Sequence, residues 1–216
     1  MGHYFDKRIT LGATYATKVY MQKFEHYKGL FAERGSFDIP ANFAFGIGVK
    51  PVENLTLALD WEKIQYSDVP AYANRGPDQT KLNISATDGT LLGSPNGAGF
   101  GWKDQIVWKM GVAYKPTDNL TLRAGYNYGK MPIDKNQLLF SLLAPATPEK
   151  HYTLGFTYNM GEQSILGFGS EGLVTFAWVY APNVEIQGPT TGTGGSGYAG
   201  MAMRQQSWDL AYTLKF

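Results

Sequence analysis

Residues 108–128 read WKMGVAYKPTDNLTLRAGYNY, and this stretch decides the fold. On both sides of a short polar turn, large apolar side chains alternate with small or polar ones. Alternation with a period of two places the apolar residues on one face of a β-strand and the others on the opposite face. The stretch therefore predicts two antiparallel strands joined by a tight turn.

The same alternation recurs along the chain and predicts about eight strands. The connections after the second, fourth and sixth strands are short and polar, at 51–53, 116–118 and 161–163, whereas the others are longer. The third short connection could include a few more residues, because 165–172 could extend either neighbouring strand. Short turns at one end and long loops at the other are typical of bacterial outer-membrane barrels. We therefore predict an all-β fold, an antiparallel up-and-down transmembrane β-barrel that forms a single domain over residues 1–216. The predicted strands are 7–27, 37–50, 54–68, 103–115, 119–130, 150–160, 171–187 and 202–216.

The composition agrees with a barrel and excludes several other classes of protein. The chain has 216 residues with 26 glycines, 14 tyrosines and no cysteine, which excludes a disulfide scaffold and thiolate metal sites. The net charge is +1, whereas nucleic-acid binding needs a basic face. No uncharged apolar run reaches the roughly 18 residues that a transmembrane helix needs.

Large aromatic residues crowd the apolar strand faces, especially near strand ends. Such rings form the girdles that flank the lipid-facing band of a membrane barrel, whereas a soluble sandwich would bury this face in its core. Together with the loop asymmetry, they favour contact with outer-membrane lipid or detergent. The C-terminal Phe216 resembles the signal that the bacterial barrel-assembly machinery recognises. The aromatic residues are Trp61, Trp108, Tyr114, Tyr126, Tyr128, Tyr158, Trp178, Tyr180, Trp208 and Tyr212.

The opposite strand faces carry glycines and charged residues of both signs. An eight-stranded barrel has room inside only for its own side chains, so small residues there would make space for long ones and opposite charges would pair. With more strands, the same residues would line a lumen. The predicted interior charges are Arg8, Lys50, Asp60, Glu62, Lys109, Arg123, Asp209 and Lys215.

Several runs resemble the long-chain fatty-acid transporter family of outer-membrane proteins (FadL-like). They are 27–32 with 37–43, the hairpin 108–128 with the Pro-containing loop at 131–133, and the strand at 153–158. The resemblance implies an outer-membrane channel for long-chain fatty acids or other hydrophobic compounds. It covers only the C-terminal half of the family's pattern, which has fourteen strands and an N-terminal hatch, and so it supplies no pocket residue. Two interpretations stay open: a fragment of a fourteen-stranded barrel, or a shortened barrel that closes on eight strands.

One loop is unexpectedly apolar. Residues 138–143 lie between two predicted strands, where a solvated loop is expected to be polar. They form either a surface that captures hydrophobic ligand or a self-packed plug, against which Leu82, Ile84, Leu91 and Leu92 of another loop could pack. The candidate ligand-binding residues are Leu138, Leu139, Phe140, Leu142 and Leu143.

Catalytic and metal-binding patterns are weak. His3, His26 and His151 are scattered without the spacing of metal ligands, so we predict no metal site and no cofactor. Glu149 and His151 stand close together near a strand start, where a surface pair is the simpler interpretation. The protein is therefore not expected to be an enzyme. The alternatives to a channel are a non-conducting structural barrel or, less well supported, an outer-membrane lipid-modifying enzyme.

Overall fold

The described part of the chain forms one antiparallel sheet of nine strands that follow one another in chain order. The structure is a computed structural model that describes residues 2–4, 8–76, 91–165, 168–189 and 197–215. Each strand pairs with the next, as expected for an up-and-down meander. The strands are β1 (Gly2–Tyr4), β2 (Ile9–Ala16), β3 (Asn42–Val52), β4 (Leu55–Ile64), β5 (Gln105–Thr117), β6 (Leu120–Gly129), β7 (Lys150–Ile165), β8 (Phe168–Pro189) and β9 (Tyr198–Lys215).

The strand register separates two faces of the sheet. Trp108 of β5 lies opposite Trp61 and Tyr128 of the neighbouring strands. The next residue, Lys109, lies opposite Asp60. Because cross-strand partners share a face, the apolar positions of β2–β9 form one continuous surface and the small and polar positions form the other. We call these surfaces the apolar face and the polar face.

The observed strands differ from the predicted ones most clearly in three places. The first predicted strand, 7–27, ends at Ala16 because the chain then leaves the sheet, and a single bridge between Val19 and Ile39 ties the loop together. The turn predicted at 161–163 is a bulge inside β7, where Gly161 adopts a φ of 76° and the ladder with β8 shifts register. The third difference is β1, which the alternation did not indicate.

The long loops fold over one end of the sheet and share a hydrophobic core. We call this structure the cap: it comprises 17–41, 65–76, 91–104 and 130–149, together with the adjoining ends of β8 and β9. It contains three short helical segments, α1 (Ala32–Gly35), α2 (Pro70–Ala73) and α3 (Leu138–Ser141), and 3-10 turns at Glu25–Tyr27, Tyr66–Asp68 and Lys135–Gln137. Its buried core residues are Phe31, Val69, Ala71, Ala98, Phe100, Trp102, Ile133, Leu138, Phe140 and Met201.

The sheet formed by the described residues is open. Within the described ranges, β9 pairs with β8 and β1 pairs with β2, and no ladder joins β9 back to β1 or β2. None of the helices in those ranges is long and apolar enough to cross a membrane. Phe216, the predicted contact of the assembly machinery, lies outside the described residues, as do Leu82 and Ile84.

Candidate ligand-binding site

Four of the eight predicted interior charges lie on the middle strands of the polar face, β4 to β6. Lys109 Nζ lies 2.6 Å from Glu62 Oε2 on the neighbouring strand. Asp60 extends over Gly46, where a Cβ atom would collide with its carboxylate, so the glycine makes space for the longer side chain. Arg123 donates a hydrogen bond of 2.8 Å to Thr157 Oγ1 across β6 and β7.

The remaining charges of this set lie apart from that group. Lys215 Nζ is 3.8 Å from Glu171, which also accepts a hydrogen bond from Asn159. Arg8 and Lys50 meet through their backbones near the short-turn end of the sheet, where the Lys50 N–H donates to the Arg8 carbonyl at 2.8 Å. Asp209 lies opposite Ala177 on the polar face. Opposite charges on this face therefore pair in two places, Glu62–Lys109 and Glu171–Lys215, among the described residues.

The apolar loop at 138–143 divides between the cap core and solvent. Leu138 is 1% exposed and Phe140 9%, and both pack in the cap core, where the Phe140 ring lies 5.4 Å from that of Phe31. Leu142 and Leu143 point outward instead, with 40% and 63% of their surface exposed. Leu139 is half-buried against the core. The loop thus anchors the cap with one side and presents two leucines to solvent with the other.

Buried hydrogen bonds join the cap segments. The indole Nε1 of Trp102 donates to Ser141 Oγ at 3.2 Å, and the fully buried Ser141 hydroxyl also lies 3.2 Å from the Gln137 carbonyl. The backbone N–H groups of Ala32, Glu33 and Arg34 donate to carbonyls of Ala98, Ser94 and Gly93 at 2.8–3.0 Å. These contacts connect loops that are far apart in the sequence, so the cap is one packed unit.

Three aspartates fasten the cap at its edges. Asp38 pairs with Lys18 at 3.2 Å and accepts from the N–H of Met21 at 2.9 Å. Burial alone would raise the pKa of Asp38, but these hydrogen bonds and the Lys18 charge hold it below its ordinary value. Asp104 lies 3.0 Å from Lys63 and Asp134 lies 3.1 Å from Lys103.

The pKa values of the other two aspartates are also lowered. Burial would raise the pKa of Asp104, but the N–H of Ser67 and the Lys63 ammonium outweigh it. The backbone N–H of Asn136 is the main cause of the low pKa of Asp134, and Lys103 adds to it. All three carboxylates are therefore ionised at neutral pH and favour the closed cap.

A cavity of about 330 Å³ lies between the cap and the polar face. Strand residues form one wall, with the cross-strand neighbours Asn127 and His151 beside each other. Tyr66 and the loop residues Pro145, Ala146, Pro148 and Glu149 also line the cavity. Burial, with Tyr72 and Glu62 nearby, raises the pKa of Tyr66, so its hydroxyl stays protonated at neutral pH. The lining residues are Tyr66, Gln105, Val107, Asn127, Gly129, Pro132, Pro145, Ala146, Pro148, Glu149, His151, Met203 and Gln205.

The sequence indicated only part of this cavity. Asn127 lies at a polar position of the alternating hairpin, and Glu149 and His151 are close together in the sequence near a predicted strand start. What the pattern could not indicate is that the loop at 145–149 folds back over these strands. That contact depends on the cap core, whose members are separated by tens of residues.

Comparison with known proteins agrees with this geometry. Residues 3–206 match the family described as "Outer membrane protein transport protein (OMPP1/FadL/TodX)". The fold resembles the crystal structure of the toluene transporter TodX of P. putida, with a TM-score of 0.55 and 18% identity over 97% of this chain and 46% of that one. It also resembles a Pseudomonas aeruginosa FadL homologue, with a TM-score of 0.54 and 18% identity over 98% of this chain and 49% of that one.

The chain spans about half the length of these solved structures. No curated protein sequence is significantly similar to it. The family match extends over nearly the whole chain, and the structural likeness independently shows the same barrel fold. The chain therefore belongs to the OMPP1/FadL/TodX family of outer-membrane transport proteins, which confirms the predicted family, the predicted barrel fold class and the bacterial outer-membrane location.

Proposed function

We propose that this protein carries hydrophobic compounds across the outer membrane. The observation that supports the proposal best is the cavity of about 330 Å³ between the cap and the polar face, on the side of the sheet opposite the apolar face. A membrane protein that keeps its apolar face toward lipid encloses the polar face, so a compound that passes beneath the cap would leave the water outside and enter the protein. Family membership supports the same activity.

Leu142 and Leu143 are suited to the first capture of such a compound. They are exposed side by side at the end of α3, whereas the neighbouring Leu138 and Phe140 hold the segment in place. Each buried methylene contributes about 0.8 kcal/mol, so contact with two leucines yields only weak binding, as a surface that must release its ligand requires. Long-chain fatty acids and small aromatic hydrocarbons both offer the necessary apolar surface.

The test is uptake by cells that produce the full chain. The host is a Gram-negative strain that lacks its own transporter of this family, and the labelled compounds are oleate and toluene. We expect uptake of at least one of them to exceed that of cells without the protein. Replacing both Leu142 and Leu143 with Ser should reduce this uptake about tenfold at low ligand concentration, because it removes roughly 1–2 kcal/mol of apolar contact.

The matched control is Leu91→Ser, which changes another exposed leucine of the long loops. Its uptake should equal that of the unaltered protein. Uptake of both compounds at the level of cells without the protein, although the chain is folded in the outer membrane, would contradict transport and favour the non-conducting structural barrel. A loss in Leu91→Ser as large as in the double variant would contradict capture at Leu142 and Leu143.

A further inference from the structure

The ladder between β2 and β3 continues beyond the ends of both strands. Tyr15 pairs with Phe43 near the end of the ladder, and four residues further from the sheet on each side Val19 and Ile39 form a bridge in the same register. Both backbone N–H groups of this bridge donate to the opposite carbonyl, at 3.0 and 2.9 Å. Because residues four apart in an extended segment lie on the same face, Val19 and Ile39 continue the apolar face into the cap.

The side chains of this bridge are as exposed as those of the apolar face itself. Val19 is 47% and Ile39 50% exposed, compared with 53% for Leu154 in the middle of β7. The cap core, which buries Phe31 nearby in the sequence, does not cover them. An apolar surface that is exposed and continuous with a lipid-facing surface indicates contact with lipid rather than with water.

The height of a bilayer leads to the same position. On β2 the apolar-face positions run from Ile9 to Tyr15, which is about 20 Å along the strand at roughly 3.3 Å per residue. The lipid-facing band of a barrel is about 25 Å tall, and with strands tilted by roughly 40° it takes about 33 Å of strand to cross it. The extension to Val19 supplies this length. The outer edge of the hydrocarbon region is therefore expected close to Val19.

The segment at 20–24 has the composition of a membrane interface. Tyr20 is 81% and Phe24 53% exposed, and Lys23 beside Phe24 is exposed too. The Lys18 ammonium lies over the Tyr20 ring, 5.3 Å from its centre. Aromatic rings are favoured at the level of the lipid head groups, and a lysine there keeps its stem along apolar surface while its ammonium reaches polar groups.

We propose that residues 19–24 form a membrane anchor that holds one edge of the cap at the outer interface of the bilayer. The partner is a lipid surface: Val19, with Ile39 beside it, contacts the acyl chains. The two aromatic rings lie among the head groups, and Lys23 Nζ points to their phosphates. The buried core of the cap remains above the bilayer. The inference goes beyond transport, because the anchor holds the cap against the lipid whether or not a compound passes beneath it.

The experiment labels single positions, which the absence of cysteine from the sequence makes possible. Gln22→Cys carries a fluorescent label on an exposed residue of the membrane anchor and removes no apolar side chain. Asn96→Cys is the matched control, because it changes another exposed amide of the cap, next to the buried Gly97 and Ala98. Each labelled full chain is refolded into phosphatidylcholine vesicles in which some lipids carry a nitroxide quencher, either at the head group or at the end of an acyl chain.

We expect the head-group nitroxide to quench the label at position 22 strongly and the acyl-end nitroxide to quench it weakly. Neither nitroxide should quench the label at position 96. Replacing both Tyr20 and Phe24 with Ser in the chain labelled at Gln22 should remove most of the quenching, because interfacial binding depends on buried apolar area. Tyr198→Ser removes another tyrosine that is 81% exposed, at the start of β9, and should leave the quenching unchanged.

Each variant is first checked for the heat-dependent gel mobility of a folded barrel. Equal quenching of the labels at Gln22 and Asn96 in folded chains would overturn the inference. Stronger quenching by the acyl-end nitroxide would also overturn it, because the segment would then lie in the hydrocarbon region. Quenching that persists without the rings of Tyr20 and Phe24 would contradict their role in the anchor. The result is independent of the uptake test, since lipid contact of this segment requires no transported compound.

Discussion

Replacing Leu154 with Arg is expected to destabilise the folded protein in a bilayer by about 2–4 kcal/mol, or to prevent its insertion. Leu154 is 53% exposed on the apolar face of β7, between Tyr152 and Tyr158 of the same face. Because we assign the apolar face to lipid, a guanidinium at this position in the middle of β7 would enter the hydrocarbon region, where its hydration is lost. The measurement is the free energy of unfolding from phospholipid vesicles in a urea titration.

Ser207 provides a control at the same level of the sheet. Its neighbour Trp208 pairs with Trp178, and Trp178 pairs with Leu154 on the following strand, so Ser207 lies at nearly the same level as Leu154. The Ser207 side chain, however, is on the polar face. Ser207→Arg should therefore change the unfolding free energy much less than Leu154→Arg. If the two variants lost equal stability, or if Leu154→Arg unfolded like the unaltered protein, the assignment of the apolar face to lipid would be wrong.

Acidification is expected to open the cap before it unfolds the sheet. Asp38, Asp104 and Asp134 have lowered pKa values in the folded protein. A carboxyl group whose pKa is lowered by folding stabilises the folded state at pH values above its unfolded-state pKa of about 3.9. This contribution is lost as the pH falls through the folded-state pKa. Cap stability should thus be unchanged between about pH 7 and pH 5 and should decrease below about pH 4.

Hydrogen exchange of separate peptides measures this opening, after correction for the intrinsic pH dependence of exchange. Below about pH 4, peptides from 18–41 and 130–149 should lose protection, whereas peptides from β5 and β6 should keep it. At neutral pH, Asp38→Asn should speed exchange of the Met21 amide roughly thirtyfold, since a hydrogen-bonded charged group contributes about 2 kcal/mol.

Asp118→Asn is the control for this prediction, because Asp118 lies in the short turn between β5 and β6, away from the cap. In this variant, the amide hydrogens of the cap peptides should exchange at the same rate as in the unaltered protein. Simultaneous loss of protection in the cap and the sheet on acidification would show that the three aspartates do not act on the cap specifically.

The sheet could be predicted from the sequence because its pattern is local. In the hairpin of β5 and β6, each side chain's face follows from its position in the strand, and the turn residues are contiguous. The bulge at Gly161 was missed because a bulge is decided by the partner strand: β7 and β8 stay paired beyond it, up to Ile165 and Phe168. The residues around Gly161 would look the same in the sequence whether they formed a bulge within a strand or a turn between two strands.

The cap and its cavity depend on contacts between distant segments. Phe31 packs on Phe100 and Phe140 with ring centroids 5.0 and 5.4 Å apart, although about 70 and 110 residues separate them in the chain. The apolar character of 138–143 indicated that this loop was not simply solvated. Which of its leucines would be buried could not be predicted, because the burial of Leu138 and the exposure of Leu143 depend on where the other loops lie.

The central claim, that the apolar face contacts the membrane and the cap stands outside it, is tested most directly by fluorescence quenching. Four of the five tryptophans, Trp61, Trp108, Trp178 and Trp208, share the apolar face, whereas Trp102 is buried in the cap. Two full chains, one keeping only Trp208 and one keeping only Trp102, are refolded into vesicles whose lipid tails carry bromine, a short-range quencher. We predict strong quenching of Trp208 and little quenching of Trp102. Equal quenching of both, or quenching of Trp102 alone, would contradict this account.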